Sequence, residues 1–194
     1  TSLVSKVEKA ILKTCIDALL FGRTLPVEYG SGQKTKKSSI RLTGPVQFNG
    51  FNRSLHRVAP IFVQGTAGFA SAKQATQKSF REDHLIPYAC IAAYGVVNEI
   101  AARSTQLTDA DVSLLFEGLW KGTEGLISRS KMGHQPLMLM RISYRDSHRI
   151  GDLAGRLKLT STLEHIQIRS VNDYSINVAS LINSIISAKD NILK

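Results

Sequence analysis

Apolar positions recur along this chain with two periods, three-to-four and two, and the switches between them outline the expected elements. Leu3, Val7, Ala10, Ile11, Ala18 and Phe21, with Thr14 among them, fall at helical steps, so residues 2–21 are predicted helical with Gly22 as the stop. Residues 28–39 carry Lys34, Lys36 and Lys37 with two glycines and no apolar anchor, the pattern of a loop. Residues 40–48 read as a strand broken at Gly44-Pro45, because Pro cannot donate to a ladder. Residues 57–64 form a second extended run. From Gly65 to Asp83 the chain turns polar, basic and rich in small residues, which predicts a long excursion from the body. Residues 85–97 read as a long apolar strand with Tyr88, Cys90, Ala92 and Tyr94 on one face; Asn98 to Arg103 either continue it or turn into a short helix.

The second half is patterned more sharply. Over 108–127 Val112, Leu115, Phe116, Leu119 and Trp120 make a helical stripe, with Trp120 assigned to the core. Thr108 and Asp111 stand in capping-box positions. SRSKMGHQ (128–135) is a basic loop. LMLMRISY (137–144) alternates as a strand with its methionines as core filler, 153–170 holds one or two more strands including HIQIR, and about 174–193 reads as a closing amphipathic helix. The order predicts an α+β fold in one domain spanning 1–194. A leading strand would complete a βαββαβ ferredoxin-like or RRM-like unit.

Charge changes what this fold is expected to meet. Lys and Arg number 25 against 15 Asp and Glu, a net charge of +10 with a sequence pI near 9.8. Such an excess points to a polyanion, since each neutralised phosphate releases counterions. Hydrophobic residues at 43% supply a core. No run approaches the roughly 20 apolar residues of a membrane span. Cys15 and Cys90 sit inside apolar runs, as buried free thiols do, and no CxxC or Cys/His cluster marks a metal site. With no secretory signal at its start, the chain is expected in the cytoplasm, although it does not begin with Met.

The candidate RNA-binding residues lie mostly in loops. Gln47, Asn49, Arg53, His56 and Arg57 follow the Gly-Pro break. Lys73, Gln74, Lys78 and Arg81 lie on the excursion. Ser128, Arg129, Ser130, Lys131 and His134 follow the second helix, and Arg141 sits in the next strand. Arg offers phosphate a planar fork and Lys a point charge, while Ser, Asn and Gln add neutral hydrogen bonds to phosphate or to a ribose 2′-OH. Phe69 and Phe80 flank the excursion and either wedge against bases or anchor it to the body. No P-loop or dinucleotide glycine pattern is present, so no cofactor is expected. Five histidines (His56, His84, His134, His148 and His165) keep an RNA-cleaving enzyme open as an alternative, but their spacing pairs none of them.

The runs RLTGPVQF, SLHRV, REDHLIPYACIAAYGVVNE, TDADVSLLFEGLWKGTEGLISRSKMGHQP and LMLMRISY together resemble the backbone subunit of the type I CRISPR effector complex Cascade, most like subtype I-B. The resemblance covers roughly residues 10–160. It implies an RRM-like palm with a finger insertion and a thumb at 65–84; within that thumb Phe69 and Phe80 are the candidate wedge, and the apolar pattern separately predicts a C-terminal helix within 171–194. The resemblance implies no catalysis by this subunit. The expected partners are a CRISPR RNA, further copies of the chain stacked head to tail, other Cascade subunits and a target DNA strand paired to the guide. A CRISPR-type endoribonuclease and a generic single-stranded RNA-binding domain are the alternatives. Family members usually open with a strand and loop that have no counterpart here, so the chain is expected to be truncated, with residues omitted near 30–36.

Overall fold

In the computed structural model of the chain, residues 3–29, 36–50, 53–66, 80–128 and 130–193 are described. In order they form α1 (Leu3–Thr14), α2 (Ile16–Phe21), β1 (Gly22–Tyr29), β2 (Lys36–Thr43), β3 (Val46–Phe48), β4 (Ile61–Thr66), β5 (Phe80–Leu85), β6 (Gly95–Val97), α3 (Glu99–Thr105), α4 (Asp109–Glu124), β7 (Lys158–Thr160), β8 (Ser175–Asn177) and α5 (Ala179–Ser187). The fold is α+β. The described strands pair antiparallel as four separate two-stranded ladders, β1–β2, β3–β6, β4–β5 and β7–β8. The chain divides into two compact units, 1–49 with 94–140 and 50–93 with 141–194.

In the first unit the expected opening helix is interrupted at Cys15, whose backbone is extended (φ −117°, ψ 98°). The Gly22 stop holds. Its φ of 79° is a conformation that favours glycine, and a Cβ there would run into the Leu42 carbonyl and the Gly44 nitrogen. The chain reverses at that point into β1, which pairs with β2 from Gly22↔Thr43 to Tyr29↔Lys36. The start and end of the 28–39 stretch are therefore strand, not loop. Leu25 and Val27 alternate along β1, and Pro26 is tolerated because both strands of a two-stranded ladder are edges. The Gly44-Pro45 break is real: β2 ends at Thr43, and β3 pairs instead with β6.

Asn98 caps α3 by accepting from the amides of Ile100 and Ala101, so the segment after β6 is helix. Thr108 and Asp111 form the expected capping box on α4. Leu20, Val46 and Leu115 are buried together, with Phe48, Leu107 and Leu119 against them. Full burial of such side chains stabilises by about 1.5–3 kcal/mol each. Trp120, expected in the core, is 37% exposed.

The second unit is built on β4–β5, in register from Ile61↔Leu85 to Thr66↔Phe80, and on β7–β8, from Lys158↔Asn177 to Thr160↔Ser175. The end of the expected excursion is thus the strand β5. The long strand expected over 85–97 is not continuous. Only its ends lie in strands, and Ile91 makes a single bridge to Ser54. Its period-two face survives in burial, with Cys90 buried and Tyr88, Ala92 and Tyr94 half-buried while Ile91 and Ala93 are exposed.

Two further strand expectations fail. Residues 137–143 lie in no strand, Tyr144 makes only one bridge, to Ile192, and Met138 and Met140 are exposed rather than core filler. In HIQIR, His165–Gln167 is a 3-10 turn. Alternation fits a strand only where a partner ladder exists to receive it. Helix α5 is shorter than the predicted closing helix because β8 occupies its first turn. Cys90, Leu159 and Ile168 form this unit's core, with Leu55, Tyr88, Tyr174 and Ile176 packed on it. No described helix is long and apolar enough to cross a membrane.

Candidate nucleic-acid interface

Among its described residues the first unit presents a basic loop after α4. Helix α4 ends at Gly125, whose amide donates to the Lys121 carbonyl. The chain then turns over 130–133, with the Lys131 amide donating to the Ser128 carbonyl at 3.1 Å and Gly133 at φ 89°. Ser128, Ser130, Lys131 and His134 are all exposed; Arg129 lies outside the described residues. Gln47, on β3, is exposed but donates to the Gly44 carbonyl at 3.0 Å, which fixes its amide beside the Gly-Pro break. Asn49 donates its backbone N–H to the Tyr94 carbonyl at 2.7 Å and keeps its side chain at the surface.

In the second unit the candidates part company. Arg53 is half-exposed and its guanidinium stands 3.4 Å from the Asp152 carboxylate, an exposed pair that contributes about 0–1 kcal/mol. Arg141 is exposed but lies in no strand. Phe80 and Arg81 belong to β5 by backbone, while Phe69, Lys73, Gln74 and Lys78 lie outside the described residues.

His56 is placed differently from the other candidates whose side chains are described: it is 5% exposed. Its Nδ1 stands 3.1 Å from both the Arg57 and the His165 carbonyl oxygens, and the Cys90 amide donates to its Nε2 at 3.4 Å. Two carbonyls can only accept and an amide can only donate, so the contacts assign the proton to Nδ1 and leave Nε2 as an acceptor. The Arg57 amide in turn donates to His165 Nδ1 at 3.3 Å. The two histidines thus tie residues 56–57 to the turn at 165. Beside them the Tyr88 and Tyr174 hydroxyls are 2.9 Å apart. Burial first, then the Cys90 thiol and the Tyr88 hydroxyl, raise the Tyr174 pKa and keep its hydroxyl protonated.

Sequence reasoning missed a groove of about 740 Å³ in the second unit, lined by Arg149, Arg156, Lys158 and the polar face of α5. Its cations are scattered singly, and only the β7–β8 register and the fold of 148–156 bring them together. The spacing of Ser180, Ser184 and Ser187 on one helix face was the available signal.

A family model described as CRISPR-associated protein Cas7 matches residues 2–179. The chain belongs to the Cas7 family. The CRISPR-associated protein Cas7 of Haloferax volcanii is 28% identical over 201 residues, covering 96% of this chain and 58% of that relative. The chain therefore spans little more than half the relative's length. Among the described residues of this Cas7 chain, no group of three or more His, Cys, Asp or Glu side chains is placed to hold a metal ion.

Proposed function

We propose that this chain is the RNA-gripping part of a non-catalytic Cascade backbone subunit, of the subtype I-B kind. It binds a CRISPR RNA along its sugar–phosphate backbone, stacks head to tail with copies of itself and leaves guide bases free to pair with target DNA. A head-to-tail contact that does not close generates a helical array, and base pairing then carries the sequence specificity. The observation that carries the reading is the exposed basic loop at 128–134 on a chain of net charge +10 that belongs to the Cas7 family.

The residues proposed to hold guide phosphates are Gln47, Asn49, Arg53, Ser128, Arg129, Ser130, Lys131, His134 and Arg141. On the same reading the β4–β5 ribbon is the base of the thumb spanning 65–84, where Lys73, Gln74, Lys78, Arg81 and the Phe69/Phe80 wedge contact RNA. An RRM-like palm would carry these parts. His56 enters as a positioning residue: its ring hydrogen bonds are to backbone groups, and at 5% exposure it offers little surface to RNA.

Electron microscopy of the purified protein with a CRISPR RNA tests the assembly. Regular helical particles are expected, and discrete monomers on the RNA would contradict it. Incubation with repeat RNA is expected to leave the RNA intact; site-specific cuts abolished by His134→Ala would replace the scaffold reading with an endoribonuclease.

A further inference from the structure

The groove of the second unit has a chemistry of its own. Lys158 on β7 and Asn177 on β8 are register partners, so they stand side by side at its edge. Arg156 is set by the preceding turn. Its Nε donates to the Gly151 carbonyl at 3.4 Å and its NH1 to the Ser184 hydroxyl at 2.8 Å, which leaves three guanidinium N–H bonds for a ligand. Arg149 adds an exposed cation, and no Asp or Glu is among the lining residues.

The opposite wall is one face of α5. Leu181 is buried on the flank of that helix, and Ser180, Ser184 and Ser187 line the groove. Ser184 donates its hydroxyl hydrogen to the Ser180 carbonyl and Ser187 donates its own to the Asn183 carbonyl, each at 2.8 Å. With their hydrogens turned back to the helix, these hydroxyls meet a ligand as acceptors, Ser184 through the one lone pair that Arg156 leaves it.

We infer that this groove is a second RNA-binding site, in which Arg149, Arg156 and Lys158 take successive backbone phosphates and the α5 serines accept from a ribose 2′-OH. A fully ionised anion satisfies the cationic wall but offers no donor to the serine hydroxyls. A phosphodiester joined to a ribose offers both, because the 2′-OH is a donor that DNA lacks. A volume of about 740 Å³ falls within the roughly 300–1,000 Å³ range of ligand pockets. No aromatic side chain other than the His148 imidazole is among the lining residues, so the site reads backbone rather than stacking bases. The assignment rests on RNA as the chain's ligand and adds a contact point distinct from the 128–134 loop.

The test compares single-stranded RNA and DNA of one sequence by fluorescence anisotropy, using the full chain, an Arg149→Glu/Lys158→Glu variant and, separately, Lys131→Ala. Both groove residues are exposed, so the variant is expected to unfold at the wild-type denaturant midpoint. For RNA the variant should bind at least tenfold more weakly, with the log–log salt slope reduced by about 1.4, at about 0.7 for each phosphate left without its cation. The wild-type preference for RNA over DNA should shrink. Wild-type affinity and slope in the groove variant would overturn the inference, as would equal losses on RNA and DNA. If Lys131→Ala weakens binding while the groove variant does not, the groove assignment fails and the proposed function stands. If the groove variant weakens binding while Lys131→Ala does not, the 128–134 loop fails as the grip and the groove stands. The milder Arg149→Gln, expected to lower the slope by about 0.7, provides the same reading should the double variant fold poorly.

Discussion

The two regions richest in candidate chemistry, His56 with its neighbours and the loop at 128–134, contain similar residue types and are built in opposite ways. Around His56, ring nitrogens, backbone carbonyls and an amide satisfy one another in a buried cluster beside the Cys90–Leu159–Ile168 core. In the loop, Ser130, Lys131 and His134 are exposed on a turn in which the Lys131 amide donates to the Ser128 carbonyl. Buried polar groups are costly when left unpaired, so the first arrangement holds the fold. Exposed cations cost the fold little and remain available to a polyanion. Burial, not residue type, separates the residues that build this protein from those proposed to work for it.

Substitutions ought to separate the two regions in the same way. His56→Ala removes the partner of the His165 carbonyl and the Cys90 amide and leaves a cavity. It is expected to destabilise by about 3 kcal/mol in denaturant unfolding while leaving the RNA salt slope of the folded protein unchanged. Unchanged stability with weaker binding would make His56 a contact and erase the contrast. Tyr174→Phe deletes the hydroxyl beside Tyr88 and should cost about 1 kcal/mol, again without touching RNA affinity.

A cap sharpens the comparison from outside both regions. Thr108→Ala is expected to cost about 1 kcal/mol. The Thr108 hydroxyl, 2.6 Å from the Asp111 carboxylate, and the Thr108 amide, at 2.9 Å, hold the Asp111 pKa below its usual value. A depressed carboxylate pKa stabilises the fold above the unfolded value of 3.8, and that contribution is lost as pH falls through the folded value. Unfolding measured at pH 7 and again on acidification should therefore show the gap between wild type and Thr108→Ala narrowing below the ordinary carboxylate range. A gap that widens would contradict the role given to Asp111.

Helix α4 was legible in the sequence because its signals are local: a cap pair three residues apart and a stripe at helical spacing. The Gly44-Pro45 break and the Gly22 stop were legible for the same reason, since each is a backbone constraint carried by one or two residues. LMLMRISY alternates as well as any strand, yet a strand also needs a neighbour, and that information lies elsewhere in the chain. β1 was missed because Pro26 and the adjacent lysine-rich stretch masked the alternation of Leu25 and Val27. Among the site residues, exposure of the 128–134 loop followed from its composition. The burial of His56 depends on Cys90 and His165, far away in sequence, and so was not readable. The groove of Arg149, Arg156 and Lys158 was hidden likewise.

Lys131→Ala carries the smallest expected effect on stability, near zero, and the most direct bearing on function. The deciding measurement is its RNA affinity across a salt series on guides of unrelated sequence. Backbone-directed binding predicts that log affinity falls steeply and linearly with log salt, and that Lys131→Ala weakens every guide alike while lowering the slope by about 0.7. A flat salt dependence, or a loss confined to particular bases, would contradict it.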